Sequence, residues 1–129
     1  MRGSIEHVPD PVQSINDVSK NLNTDGYFYI TATPNGESFS ADLYRDQWTL
    51  FHPVQHLWHF SEKTLEKICS RFGLELVASH YPYLGTVYEN VKRDLLQITK
   101  DIDLIENSED KPSVSPPFFG NMMSLVFKK

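Results

Sequence analysis

The sequence predicts one α/β domain, in which helices pack on the faces of a small sheet. Three observations predict it: segments with helical and strand patterning alternate, the length is 129 residues, and 40% of the residues are hydrophobic. Alternation of this kind is typical of α/β folds, and the length suits a single domain with a modest core. The predicted order is helix, strand, long loop, helix, strand, helix, strand.

The first predicted helix begins at Pro11 and ends near Leu22. Asp10 precedes it as a cap, and proline at the first helical position loses no hydrogen bond. A strand follows over residues 27–33. Because this strand is β-branched and aromatic with little alternation, we expect both of its faces to be covered.

Residues 34–60 show no regular period but are rich in aromatic residues. Loops this long and this aromatic are often lids or binding loops. The second helix begins after Ser61, which can cap it, and ends at Gly73, which suits a left-handed position. A strand over residues 74–81 follows it.

The longest predicted helix carries an apolar stripe from Val87 to Ile105, behind a Thr86-x-x-Glu89 capping pattern. The stripe is most simply core packing, although a projecting helix could also contact a second copy. Residues 107–117 are polar and contain proline, so we expect a flexible loop there. The last strand covers residues 122–127.

Charge and composition exclude several classes of partner. The formal net charge is -5 and no block of basic residues occurs, so we expect neither nucleic acid nor a membrane surface as a partner. No apolar run approaches the roughly 18 residues of a membrane helix. The single cysteine, Cys69, excludes an internal disulfide and suits a reducing compartment, so we expect a cytoplasmic location and a core position for Cys69.

Three blocks of the sequence occur in a familiar order. They are Ile5-Glu6-His7-Val8-Pro9-Asp10-Pro11, residues 25–35, and residues 52–61 with the run His-Pro-Val-Gln-His-Leu-Trp-His-Phe-Ser. Together they resemble the C-terminal half of class I S-adenosylmethionine (SAM) dependent methyltransferases, in particular the group of ubiquinone-biosynthesis O-methyltransferases and other small-molecule methyltransferases. The resemblance covers residues 5–81.

The resemblance implies a partial Rossmann-like sheet. Residues 27–33 would be its fifth strand, 74–81 its sixth, and 122–127 an antiparallel seventh strand inserted between them. In the family, SAM lies at the C-terminal ends of the first four strands, which follows the crevice rule for open α/β sheets. No G-x-G-x-x-G turn occurs in this chain. We therefore expect that the N-terminal cofactor-binding half is absent and that the chain alone does not bind SAM strongly.

On this interpretation residues 1–129 are one partial methyltransferase domain. Residues 1–33 supply the first helix and the fifth strand, residues 34–60 an acceptor lid loop, and residues 61–129 the C-terminal helices and strands. The implied partners are a small-molecule acceptor and either a missing N-terminal half or a second copy of the chain.

Glu6 and His7 are the candidate catalytic residues, and they are the sole candidates for contact with the cofactor. The resemblance places them near the transferred methyl group, where a histidine can accept a proton at neutral pH. The alternative is that the pair only ties down the turn between strand and helix.

Four residues are candidates for binding the acceptor. His56 matches the family as a residue that lines the acceptor pocket, and Asn35 follows the fifth strand, where it either contacts substrate or caps the turn. Trp48 and Trp58 either stack on a ring-shaped acceptor or pin the loop in a local hydrophobic cluster.

His52, His56 and His59 have the i, i+4, i+7 spacing of one helical face, which could bind zinc. Pro53 and Trp58 interrupt such a helix, and no carboxylate stands at matching spacing. We therefore predict no metal site.

Two functional hypotheses remain. The first is SAM-dependent methyl transfer to a small molecule, with this chain as the acceptor-side half of the enzyme. The alternative is a truncated, non-catalytic domain that pairs the apolar edge of residues 27–33 with a copy of itself or with a partner subunit.

Overall fold

The computed structural model describes residues 1–107 and 112–129 and confirms the α/β class. Its helices are α1 (Pro11–Asn21), α2 (Phe39–Tyr44), α3 (Glu62–Ser70) and α4 (Val91–Asn107). Its strands are β1 (Tyr27–Pro34), β2 (Glu75–His80) and β3 (Met122–Lys128). Short 3-10 turns cover Ile5–His7 and Arg45–Gln47.

The three strands form a sheet in the order β1-β3-β2, with β3 antiparallel to both neighbours. The last strand therefore lies between the other two, as the resemblance implies. Residues 1–3 run parallel to β1 at its outer edge. There Thr31 N–H donates to Met1 O at 2.8 Å, and Gly3 N–H donates to Thr31 O at 2.9 Å. The expectation that the edge of β1 is unpaired is therefore wrong over this stretch.

One face of the sheet carries the main core. Helices α1 and α3 pack on this covered face, and the buried set comprises Ile15, Phe28, Ile30, Leu65, Cys69, Met123, Leu125 and Phe127. The opposite face, which we call the open face, presents Tyr27, Tyr29 and Val77, each about half exposed. The expectation that β1 is covered on both faces is therefore wrong for the part of the chain that the structure describes. The two faces receive alternate residues of the strand, and helices pack on one of them.

The predicted helix caps at α1 and α3 are confirmed. Asp10 Oδ1 accepts a hydrogen bond from Gln13 N at 2.8 Å, and Ser61 Oγ accepts one from Thr64 N at 3.3 Å. Gly73 has a φ of 72° just beyond α3, where glycine adopts the left-handed conformation without steric cost. Both helices therefore begin and end close to the predicted residues.

The segment 34–60 is not one continuous loop, because it contains α2. Ser38 caps this helix by accepting a hydrogen bond from Ala41 N at 3.1 Å. Tyr44, the last residue of α2, and Trp48 are buried with Ile98 of α4 in a second, smaller hydrophobic cluster. The aromatic content of the segment thus serves in part to attach it to α4.

Helix α4 begins later than predicted. Asn90 caps it by accepting a hydrogen bond from Arg93 N at 3.2 Å, whereas Val87 is 94% exposed. The residues that α4 buries are Asp94, Ile98 and Asp101. The apolar stripe is therefore not a core face along its whole length, because two tyrosine hydroxyls hold the buried carboxylates in place of apolar neighbours.

The predicted flexible loop over 107–117 includes residues 108–111, which lie outside the described residues. Ser115, in the described part of this segment, contacts the body of the domain. Ser115 N donates to Gln47 O at 2.9 Å, and Ser115 Oγ accepts from Thr49 N at 3.0 Å. Among residues 1–107 and 112–129, no helix is both long enough and apolar enough to cross a bilayer.

Candidate functional site

The fold brings Glu6, His7 and His56 together in what we call the histidine–glutamate cluster. Glu6 and His7 lie on the 3-10 turn that follows residues 1–3, and His56 lies on the segment between the second 3-10 turn and α3. The two imidazole centroids are 4.9 Å apart, and His7 Nε2 is 3.9 Å from Glu6 Oε1. One ligand atom from each of the three residues lies within 4.8 Å of the other two. The sequence separation of about fifty residues hides this cluster from pattern reading.

Backbone carbonyls orient both imidazoles of the cluster. His7 Nδ1 is 2.7 Å from Gln55 O, and His56 Nδ1 is 2.9 Å from Leu50 O. Since a carbonyl oxygen only accepts, Nδ1 carries the hydrogen in each ring. The Nε2 atom of each neutral ring therefore has a free lone pair.

Trp58 connects this segment to the turn that carries Glu6. Its indole Nε1 donates to Val8 O at 2.9 Å, and its backbone N–H donates to Glu6 O at 3.3 Å. The side chain is 43% exposed, so part of the ring remains accessible beside the cluster. Trp58 thus positions the loop and also borders the site.

Glu6 is buried, with only 2% of its surface exposed. Its Oε2 atom is 3.5 Å from Thr33 Oγ1, a long hydrogen bond from the end of β1. Burial of a carboxylate is costly when its oxygens lack strong partners. Holding the Glu6 carboxylate in this position therefore costs more free energy than holding an ordinary surface carboxylate.

His59 borders the cluster without joining it. Its ring stacks on Phe51 at 5.2 Å and lies 6.1 Å from the ring of His56. Burial lowers the pKa of His59 below its ordinary value, and proximity to the imidazole of His56 lowers it further. His59 is therefore a neutral aromatic neighbour at pH 7.

An apolar pocket of about 490 Å³, a size typical of small-molecule sites, shares its surroundings with the cluster only through Leu50 in the described part of the chain, and the cluster residues themselves do not line it. Leu50 connects the two, because it lines the pocket while its carbonyl orients His56. The hydroxyl of Tyr83 donates to Asp94, which fixes its ring in the pocket wall. Other lining residues include Arg2, Ala32, Phe118 and Met122. Ala32 has a φ of 55° at a bulge in β1, and bulges are frequent beside active sites.

Two of the four candidate residues for binding the acceptor molecule, Asn35 and Trp48, make contacts within the protein away from the cluster. Asn35 is buried, and its side chain bonds Gly120 O at 3.0 Å and Glu37 N at 3.2 Å. Trp48 is 4% exposed in the second hydrophobic cluster. The structure thus brings Glu6, His7, His56 and Trp58 together and places Asn35 and Trp48 where they stabilise the loop.

Sequence reasoning missed Leu50 and Gln55, whose contribution is a backbone carbonyl, and it missed Tyr83 and Phe118 in the pocket wall. A carbonyl carries no residue-type signal. Tyr83 follows β2 and Phe118 precedes β3. Because the two residues are far apart in sequence, no local spacing could have shown that they line one pocket.

Residues 1–79 match the family model described as a methyltransferase domain. The chain belongs to this methyltransferase domain family. The match includes Glu6, His7, His56 and Trp58, and it ends within β2. No curated protein matches the chain.

Solved structures support the methyltransferase fold. A SAM-dependent methyltransferase of Thermotoga maritima, described as a possible histamine N-methyltransferase, is 14% identical with a TM-score of 0.57, and the match covers 100% of this chain and 53% of that chain. The complex between the Haloferax volcanii Trm112 methyltransferase activator and its methyltransferase partner gives 11% identity and a TM-score of 0.58, over 98% of this chain and 50% of that chain. A protein of Bacillus halodurans C-125 described as a methyltransferase is 13% identical with a TM-score of 0.52, and the match covers 98% of this chain and 60% of that chain. The chain therefore spans about half the length of the solved structures it matches.

Proposed function

We propose that this chain is the acceptor-side half of a SAM-dependent methyltransferase that acts on a small molecule. The observation that carries the proposal is a histidine–glutamate cluster that Leu50 links to an apolar pocket, in a chain of the methyltransferase domain family. On this proposal β1, β2 and β3 are the fifth, sixth and seventh strands of the family sheet, and residues 1–3 are the end of the fourth.

The chemistry is transfer of the sulfonium methyl group to a nucleophilic atom of the acceptor. The apolar pocket holds the acceptor and excludes water, so that its nucleophile is aligned with the methyl donor. Where the nucleophile is a hydroxyl, the lone pair on His7 Nε2 accepts its proton as the new bond to carbon forms. Glu6, 3.9 Å from that nitrogen, then stabilises the imidazolium.

SAM binding by the chain and by a longer version tests the proposal. The longer version adds the in-frame coding sequence upstream of Met1, and calorimetry measures its affinity for SAM beside that of the 129-residue chain. We expect binding by the longer version alone. If the longer version does not bind SAM, the proposal is wrong.

Substitutions in the longer version test the role of His7. The change His7→Asn removes the proton acceptor, so we expect a kcat, measured at saturating SAM, at least about a hundredfold lower. His80→Asn is the matched control, because His80 is exposed on β2 away from the cluster, and the kcat of this variant should remain unchanged. Equal kcat in both variants would exclude His7 as the base.

A second candidate function is self-association or complementation of a partner subunit. The exposed aromatic rings of Tyr27 and Tyr29 on the open face favour it, since such surface is often covered in an assembly. Light scattering on the 129-residue chain tests this candidate. A dimer that Tyr29→Asp dissociates would support it, whereas a well-folded monomer at millimolar concentration would count against it.

A further inference from the structure

We propose that the apolar pocket binds a planar aromatic anion, and that Asn121 selects a ligand that donates a hydrogen bond from an N–H or O–H group. The pocket, of about 490 Å³, has the volume of a small-molecule site. This ligand class deepens the proposed function, on which it rests, because it describes the acceptor that the pocket would hold.

The first observation is the buried side-chain oxygen of Asn121. This residue lines the pocket and is 3% exposed, and its Oδ1 atom has no hydrogen-bond partner within the part of the chain that the structure describes. Ser40 Oγ and Trp48 Nε1 are also buried without a partner there, but neither residue lines the pocket. A buried acceptor without a donor is costly. A ligand that donates to Oδ1 removes this cost and therefore binds more tightly.

The second observation is the orientation of the Asn121 amide. Its Nδ2 group donates to Pro116 O at 3.3 Å. Reversal of the amide would place two acceptors against each other, since a carbonyl oxygen only accepts. The oxygen is therefore the atom that lacks a partner. It favours an N–H or O–H group of the ligand and disfavours an ether or carbonyl oxygen at the same place.

The third observation is the aromatic wall of the pocket. Tyr83 and Phe118 line it, with ring centroids 6.0 Å apart. The Tyr83 hydroxyl donates to Asp94 at 2.7 Å, and Thr86 Oγ1 donates to Tyr83 O at 2.6 Å. Both hydroxyls are thus engaged within the protein, and the rings offer apolar surface on which aromatic ligands pack well. A sugar would leave its hydroxyls without partners against this wall.

The fourth observation is the positive charge of Arg2. Met1 packs against the main core, whereas Arg2, its neighbour in the segment that pairs with β1, lines the pocket. Arg2 is exposed, and among residues 1–107 and 112–129 no carboxylate forms an ion pair with it. A guanidinium group binds carboxylate or phosphate oxygens in pairs. The ligand should therefore carry an anionic group.

A pair of isosteric probes tests the selectivity of Asn121. Indole-3-acetate carries an N–H donor and a carboxylate, and benzofuran-3-acetate has an oxygen in place of the N–H. Calorimetry on the 129-residue chain should show one indole-3-acetate per chain, bound at least about fivefold more tightly than benzofuran-3-acetate. This preference should disappear in Asn121→Ala. Equal affinity of the unsubstituted chain for the two probes, or no binding of either, would overturn the inference.

NMR of the unsubstituted chain keeps the test independent of variant folding. On addition of indole-3-acetate, the side-chain amide resonances of Asn121 should shift and saturate at one equivalent. Those of Asn21, exposed at the end of α1, should remain unchanged. If Asn21 shifts while Asn121 does not, the probe binds elsewhere and the inference is wrong.

A neutral probe tests the contact with Arg2. Indole-3-acetamide keeps the rings and the indole N–H but lacks the negative charge, so the unsubstituted chain should bind it about threefold more weakly than indole-3-acetate. Arg2→Gln should bind the two probes equally. Arg71→Gln is the matched control, because Arg71 is exposed outside the pocket, and it should keep the difference. If Arg2→Gln also keeps the difference, the anionic class is wrong.

These binding measurements contain no SAM, which separates them from the test of the proposed function. If the 129-residue chain binds indole-3-acetate but the longer version does not bind SAM, the proposed function fails and the ligand class of the pocket stands. If the longer version binds SAM but neither version binds indole-3-acetate, only the ligand class is wrong.

Discussion

The covered and open faces of the sheet use the same strands but differ in their surroundings. On β1, Ile30 is fully buried beneath α1 and α3, whereas the adjacent Tyr29 is 53% exposed. Both residue types favour strands and suit burial. The comparison teaches that residue type predicts the strand, whereas the elements packed on each face decide burial. The largest effects of substitution should therefore follow the covered face.

The first prediction compares Ile30→Ala with Tyr29→Ala. Removal of the buried side chain on the covered face should lower the free energy of unfolding by about 2–5 kcal/mol, because it leaves a cavity. The change on the open face should cost less than about 1 kcal/mol. Urea unfolding followed by circular dichroism measures both.

Equal costs for these two variants in the 129-residue chain would contradict the comparison. The same pair in the longer version sharpens it. If the added residues cover the open face, the cost of Tyr29→Ala should rise toward that of Ile30→Ala.

The second prediction compares a buried polar contact with an exposed one. Tyr44 donates to buried Asp101 at 2.6 Å, whereas Tyr81 donates to Glu62 at the surface near the end of β2. Tyr44→Phe leaves a buried carboxylate without this donor and should cost about 1–3 kcal/mol. Tyr81→Phe should change stability by less than about 0.5 kcal/mol. Thermal and urea unfolding would refute the contrast if the two costs were alike.

The third prediction concerns thiol reactivity on the two faces. Burial raises the pKa of Cys69 from its ordinary value of 9.0 to about 12, so at pH 8 the folded protein should not react with a thiol reagent such as DTNB. Cys69→Ala combined with Val77→Cys moves the thiol to the open face and should react within seconds. Rapid reaction of Cys69 in the folded chain would show that the covered face opens readily.

The raised pKa of Cys69 also predicts that the folded state loses stability at high pH. Since the folded-state pKa of Cys69 is the higher one, its contribution is complete below pH 9 and is lost as the pH rises from 9 toward 12. Comparison with Cys69→Ala isolates this loss. A steeper decline in the variant than in the unsubstituted chain would contradict the assignment.

Local signals predicted the elements that local chemistry controls. Asp10, Ser61 and Gly73 determine helix ends through contacts within a few residues, so the bounds of α1 and α3 follow from the sequence. The start of helix α4 was harder to predict, because Asn90 caps the helix about one turn beyond the Thr86 capping pattern. Its buried Asp94 depends on Tyr83, and apolar periodicity does not report a buried carboxylate with a tyrosine partner.

In the candidate site, too, the sequence indicated individual residues but not how they come together. The sequence indicated Glu6, His7, His56 and Trp58 individually, through residue type and a family resemblance. Spacing alone paired His56 with His52 and His59, because it compares neighbours along one helix. The fold does keep the His52 and His59 rings near His56, at 5.6 and 6.1 Å. It also places His56 against a turn about fifty residues earlier, which spacing does not report, and Trp58 holds the two segments together.

The sequence by itself determined the α/β class, the family and two helix caps, and it supplied the candidate site residues, because short-range patterning and residue type carry that information. The tertiary structure alone decided which face of the sheet is covered, which loop aromatics are buried and which side chains converge. It also selected the tautomer of His7, since the backbone carbonyl of the distant Gln55 orients that ring, whereas Leu50 in the same loop segment orients His56. Convergence depends on chain segments that meet only after folding, and no local pattern encodes their distance.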